Sequence, residues 1–199
     1  MKPRLGVLVS GGGTTLQNFL DLEARGGLAG EVALVVSSDP AAGACERARK
    51  AGKPLEIVRW GKGASEAVTK ALLRERVDLV LMAGFLKLYR FPPSFAGRVL
   101  NIHPALLPAF GGQGMWGHHV HEAVVKSGVK VTGCTVHVAD LEYDRGPIVL
   151  QRTCPVRFED TPDDVAARVF EEEKRAYPEA VRLFAEGRVR IEGGRVRIA

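Results

Sequence analysis

The sequence predicts an α/β fold: a single domain with a mostly parallel sheet, helices on both faces and an antiparallel C-terminal part. Three observations carry that expectation. Strand-like apolar runs alternate with helix-period segments, as βαβ units require. The runs Leu5–Val9, Val32–Val36 and Leu79–Met82 are almost wholly apolar, as strands covered on both faces must be. In the last third, two longer strand patterns follow each other with no helix between them, which suits an antiparallel pair.

Taken in order, Arg4–Ser10 is a buried-type strand and Leu16–Arg25 a helix. Glu31–Ser38 (EVALVVSS) is the next strand and Ala41–Ala51 the next helix. Leu55–Trp60 is a short strand, Ala64–Arg76 a helix and Asp78–Gly84 (DLVLMAG) a strand. Val99–His103 follows as a strand, ended by Pro104, which has no N–H to give a ladder. His121–Ser127 is a short helix, and Val131–Ala139 and Pro147–Cys154 are the paired strands. Thr161–Glu186 reads as one long helix in which Pro178 is a candidate break. Arg188–Ile198 reads as a hairpin around Glu192-Gly193-Gly194, while Phe91–Ala96 and the glycine-rich Phe110–Gly117 are loops. The pattern is Rossmann-like, and in such sheets ligands bind beyond the carboxyl ends of strands. Ser10–Thr15, Ala83–Leu88 and Asn101–Pro104 fall at those ends.

Composition narrows the function. The net charge is +5, but the basic residues are spread along helices and no aromatic residues interleave with them, so a nucleic-acid partner is not expected. The three cysteines are far apart and form no CxxC pair, which argues for buried free thiols. No apolar run reaches membrane-spanning length, and MKPRLGVLV leads directly into a strand, so no membrane partner and a cytoplasmic location are expected. Asn18 and Asn101 are the only asparagines, which draws attention to Asn101.

Four stretches carry candidate chemistry. Ser10-Gly11-Gly12-Gly13-Thr14-Thr15-Leu16 follows the first strand and opens the first helix. Its glycines let backbone approach a ligand, and free N–H groups at a helix start favour an anion. Neither GxxxxGK[ST] nor GxGxxG falls in this loop, and no acidic residue ends the second strand, so a single phosphate fits better than a dinucleotide. The alternative is a tight turn with Thr14 or Thr15 as N-cap. Asn101 and His103 lie two apart at a strand end, so both side chains face one space. The alternative there is a polar loop with an inert His103. Asp140–Pro147 is an acidic loop in which Asp144 can reach a strand-end histidine, raise its pKa and accept a proton. His137 can orient that carboxylate; the alternative is a solvated turn. His118-His119-Val120-His121 tempts as a metal site. His119 and His121 do not share a helix face, however, and no Cys or carboxylate cluster completes a set, so no metal is expected.

SGGGTTLQ (Ser10–Gln17), AGFLK (Ala83–Lys87), NIHPALLP (Asn101–Pro108) and GCTVHVADLEYDRGP (Gly133–Pro147) occur in that order. With them the chain resembles the folate-dependent formyltransferases, from the first strand to near Tyr177-Pro178. Its length and the SGGGTTLQ loop narrow the resemblance to members acting on glycinamide ribonucleotide in purine (IMP) biosynthesis. Relatives acting on initiator methionyl-tRNA carry a further C-terminal domain, and those hydrolysing formyl-tetrahydrofolate an N-terminal one. A chain of 199 residues is expected to hold neither.

The resemblance implies 10-formyltetrahydrofolate as formyl donor and glycinamide ribonucleotide as acceptor, with no metal; it leaves a homodimer open. It divides residues 1–199 into a phosphate-binding half, 1–100, a catalytic and folate-binding half, 101–187, and the hairpin, 188–199. Asn101, His103 and Asp144 match the family's catalytic trio. Gly13, Thr14 and Thr15 match its substrate-phosphate loop, and Glu173 a residue near the substrate's ribose and phosphate. Leu86, Lys87, Leu88 and Tyr89, with Asn101, Ala139, Asp140 and Asp144, match the folate pocket. The family more often has Ser-Asn in place of Thr14-Thr15, and some members have Lys in place of Phe170. The implied chemistry is amine attack on the formyl carbon. The Asn101 amide and a protonated His103 hold the oxyanion, and Asp144 keeps His103 charged and assists proton transfer. Two rivals stay open: formyl transfer to another amine, such as an amino sugar nucleotide, and a non-catalytic anion-binding module, which the glycine loop and basic charge fit but which would make Asn101, His103 and Asp144 together a coincidence.

Overall fold

The computed structural model describes residues 2–199. They form two compact units, one reaching Leu100 and the other running from Asn101 to Ala199.

In the first unit, strands β1 (Arg4–Val9), β2 (Glu31–Ser37), β3 (Leu55–Ile57) and β4 (Leu79–Met82) alternate with helices α1 (Thr14–Ala24), α2 (Gly43–Lys50) and α3 (Ala64–Arg74). Their order is β3-β2-β1-β4, and each of these pairs is parallel, with Val7 between Val35 and Leu81. Central β1 is buried from Leu5 to Val9, which is why its sequence shows no alternation. Leu16, Phe19 and Leu20 form the buried stripe of α1, and Val68, Ala71 and Leu72 that of α3, each at helical spacing. From β1 the order runs outward both ways, so the switch point lies at the carboxyl ends of β1 and β4. There the Ser10 N–H donates to the Gly84 carbonyl at 3.2 Å.

Strand β5 (Val99–His103) spans the division between the units. In the second unit the order continues β5-β6-β7, with β6 (Val131–Val138) and β7 (Ile148–Pro155) antiparallel. The sheet thus has seven strands, and the expected α/β class, mostly parallel with an antiparallel end, is the one observed. Helices α4 (His118–Ser127) and α5 (Pro162–Ala185) complete the unit, followed by the hairpin β8 (Val189–Glu192) and β9 (Arg195–Ile198). Gly193 and Gly194 both have positive φ, 55° and 74°, as a tight two-residue hairpin turn requires.

Several boundaries differ from expectation. Helix α5 runs unbroken through Pro178. A proline removes one N–H from a helix, but buried Tyr177, Ala180 and Val181 hold this turn against its neighbours. Helix α4 begins at His118, earlier than expected, because its N-cap is Gly117, whose missing side chain gives the sequence no capping signal. Strand β3 stops at Ile57, and the expected loop Phe91–Ala96 contains a 3₁₀ turn at Pro93–Phe95. All three cysteines are buried free thiols. No helix among the described residues is long and apolar enough to cross a membrane.

Candidate active site

Strand β5 delivers Asn101 and His103 to one side, as their spacing demands. The His103 side chain is 4% exposed. Its Nε2 lies 2.7 Å from the Phe110 carbonyl oxygen. A carbonyl only accepts, so Nε2 carries the hydrogen and Nδ1 is left facing Asp144 Oδ2 at 3.5 Å. The Asn101 amide donates to His137 Nε2 at 3.0 Å and to Asp144 Oδ1 at 3.4 Å. That arrangement makes Nδ1 the protonated nitrogen of His137, and it donates to the Val138 carbonyl at 3.3 Å. Asp144 also accepts from the Gly112 N–H at 2.9 Å.

Three backbone features fix this cluster. Asp144 and Phe110 both sit at positive φ, 58° and 55°, where non-glycine residues are uncommon. Between Phe110 and Gly112, a Cβ on Gly111 would lie 2.4 Å from Leu107 Cδ2 and 3.3 Å from Asp144 Cβ, so any larger residue would have to displace Leu107. The segment after His103 is tied to β6 and β7. Thr135 Oγ1 donates to the Ala105 carbonyl at 2.7 Å and accepts from the Leu107 N–H at 3.0 Å. Gln151 donates to both Leu107 O and Thr135 Oγ1.

Electrostatics follow from burial and neighbours. Burial lowers the pKa of His103 below 6.5; the charge of Asp144 and the Phe110 carbonyl oppose this but do not overcome it. The expected rise in His103 pKa is therefore not found, although Asp144 does pull in that direction. Burial raises the Asp144 carboxyl, yet its contact with His137, the charge of His103 and the Gly112 N–H together hold it below its ordinary value. Asp144 is a carboxylate at neutral pH, and His103 is a neutral imidazole.

The glycine loop lies in the first unit. Gly13, at φ 74°, is the N-cap of α1 and provides no side-chain cap. Thr14 and Thr15 are the first two helical residues, so neither is the N-cap, and the leading N–H groups of the helix lack intrahelical carbonyls. Ser10 Oγ lies 2.7 Å from Ser38 Oγ and accepts from the Leu86 N–H at 3.1 Å, fixing the 84–86 segment beside the loop. Leu86 is exposed, and Lys87 and Leu88 are half-buried. Tyr89 is 1% exposed with its hydroxyl 2.8 Å from Thr69 Oγ1, so its ring belongs to the core and it has only backbone to offer a ligand.

Elsewhere in the second unit, Ala139 and Asp140 are half-buried, and Asp140 caps its own turn by accepting from the Glu142 N–H at 2.8 Å. Glu173, half-buried on α5, has its carboxyl pushed up to about 7 by burial. His118 and His119 pair with Glu122 on the surface of α4, and no group of three or more His, Cys, Asp or Glu among the described residues can hold a metal.

Sequence reasoning found Asn101, His103, His137 and Asp144, which the structure brings together. It missed the Phe110 carbonyl and the Gly112 N–H. Backbone groups have no residue identity to read; the glycine pair Gly111-Gly112 was the available signal.

Known proteins resemble the whole of this arrangement. The family model for formyl transferase matches residues 3–181. The chain is 37% identical over 195 residues to the chloroplastic phosphoribosylglycinamide formyltransferase of Vigna unguiculata, covering 94% of this chain and 62% of that protein. It thus spans less than two thirds of that relative. With the Arabidopsis thaliana protein of the same name it shares 40% over 197 residues, 95% of this chain and 68% of that one. Among solved structures, glycinamide ribonucleotide transformylase 1 from Symbiobacterium toebii superposes with a TM-score of 0.89 at 44% identity, covering 98% of this chain and 93% of that one. A family match across nearly the whole chain, joined to these geometries, leads to one conclusion: the chain belongs to the formyl transferase family.

Proposed function

We propose that this protein transfers the formyl group of 10-formyltetrahydrofolate to the amine of glycinamide ribonucleotide, in purine biosynthesis. One observation carries the chemistry: Asn101, His103 and Asp144 converge at the end of β5, with His103 Nδ1 turned to the Asp144 carboxylate. The names of the relatives at 37% and 40% identity, and of the structural neighbour at 44%, support the choice of acceptor.

The substrate amine attacks the formyl carbon; the C–N bond forms and the carbonyl π pair moves onto oxygen. The Asn101 amide and His103 Nε2–H donate to that oxyanion. For this, the Asn101 amide must turn one N–H from Asp144 Oδ1, the longer of its two contacts, to the substrate oxygen, and the Phe110 carbonyl must give up its place at Nε2. A preorganised donor of this kind is worth about 3 kcal/mol in the barrier. The attacking nitrogen, now an ammonium, gives a proton to Asp144. Asp144 passes it to His103 Nδ1, and His103 Nε2 gives its own proton to the folate nitrogen as the oxyanion pair re-forms the carbonyl and the C–N bond to the folate breaks, its electron pair staying on that nitrogen. A neutral resting His103 suits this relay, because the proton arrives during the reaction. The uncapped N–H groups after Gly13 suit the substrate phosphate, and the Glu173 carboxyl is assigned to its ribose and phosphate side. Leu86–Leu88 and the Ala139–Asp144 loop are assigned to the folate.

The test is a two-substrate assay with purified protein. Formyl-folate should be consumed only when glycinamide ribonucleotide is present, with the formyl group recovered on the amine. Consumption without the ribonucleotide, or transfer only to a different amine, would contradict the assignment.

A further inference from the structure

We propose that Arg47 is a positioning residue of the glycine loop, holding the Gly12 carbonyl back so that the N–H groups leading α1 stay aimed at a phosphate. The inference rests on the phosphate-loop assignment above. Each of the three glycine carbonyls is occupied. Gly11 O accepts from the Ala44 N–H at 3.1 Å, and Gly13 O from the Gln17 N–H at 2.9 Å. Gly12 O accepts from Arg47 Nε at 2.8 Å. Two of those three donors come from α2, which is pressed close: a Cβ on Gly13 would lie 2.6 Å from Ala44 Cβ.

A glycine peptide has little intrinsic preference between two orientations. Rotating the Gly12–Gly13 peptide would aim a carbonyl at the anion and turn the Gly13 N–H away. Arg47 opposes that rotation with a charge-assisted hydrogen bond. The guanidinium is itself anchored. Its Nη1 donates to Gln17 Oε1 at 3.0 Å, and Gln17 Nε2 donates to Asp21 Oδ1 at 2.8 Å. Arg47 therefore spans the loop and the first turn of α1 with one rigid fork, which a lysine cannot reproduce.

Inorganic phosphate is the probe, titrated against the intact protein while the amide signals of Gly12, Gly13 and Thr14 are followed; KM for glycinamide ribonucleotide is read alongside. Arg47→Ala should weaken phosphate binding and raise that KM about tenfold, the loss expected of one charge-assisted bond, with kcat within about twofold. Arg47→Lys should recover part of the loss. Gln17→Ala leaves the charge but frees the fork; it should weaken binding about threefold, and the double variant should be no worse than Arg47→Ala alone. Gln17→Ala also carries the test if Arg47→Ala does not fold. An effect of Arg47→Ala with none from Gln17→Ala would overturn positioning in favour of simple charge. Normal binding in Arg47→Ala, with binding lost in Gly13→Ala, would overturn the role of Arg47 and keep the loop. Normal binding in both would remove the phosphate loop itself.

Discussion

Asp144 shows how much one residue can be asked to hold. It accepts from Asn101 and Gly112, faces His103 and His137, and does so from a backbone conformation that costs energy. The carboxylate charge, rather than its shape, is what the proton relay needs. Asp144→Asn keeps the shape and removes the charge. It should lower kcat about a hundredfold or more while moving either KM much less, as steady-state kinetics would show. Legibility at this scale was uneven. Asn101 stood out because the chain uses so few asparagines, and its two-residue spacing from His103 stated their convergence outright. The direction of the His103 shift could not be read, because it depends on how deeply the ring is buried, which no local pattern encodes. The setting of Tyr89 was hidden for the same reason: its motif position is loop-like, but its ring is core.

At the scale of elements, α4 and α5 place two groups with opposite pH linkage. His121, on α4, is 7% exposed, and its Nδ1 has no hydrogen-bond partner among the described residues. Burial first, then the nearby His118 and His103, lower its pKa to about 4, while Asp163 opposes. A histidine depressed in this way contributes stability above its unfolded value of about 6.5, lost as pH falls towards the folded value. Glu173, raised to about 7, does the reverse: its contribution holds at low pH and fades as pH rises through neutrality. Between pH 7 and pH 4 the two contributions oppose each other, so the loss from His121, on the order of 3 kcal/mol, is read as the difference between the melting curves of the unaltered protein and of His121→Leu. His121→Leu should gain stability relative to the unaltered protein as pH falls, and parallel pH profiles for the two would contradict the assignment. The N-terminus of α5 offers a second check. Thr161 and Asp164 form a reciprocal capping box, so Thr161→Ala should cost about 1 kcal/mol in denaturant unfolding. The sequence marked the start of α5 near Thr161 but not its continuation past Pro178, since packing of Tyr177 and Val181 outweighs the lost N–H.

For the whole molecule, the mostly parallel character of the sheet followed from the alternation of apolar runs and helices; the strand order did not, because the same alternation fits more than one doubly wound order. The antiparallel end was equally plain from two strands with no helix between them. What stayed hidden was anything supplied by backbone or by exact helix starts, as at Gly117 and at the Phe110–Gly112 segment. The net charge of +5 accords with a small anionic substrate and adds nothing about which one. Formyl transfer therefore has to be tested on the molecule's own chemistry, and the His103 imidazole is the group on which the proposed route most depends. The measurement is kcat for formyl transfer from 10-formyltetrahydrofolate to glycinamide ribonucleotide in His103→Ala against the unaltered protein. A fall on the order of a thousandfold, with KM values little changed, is the predicted result. A kcat close to that of the unaltered protein would contradict the oxyanion and proton-relay roles of His103.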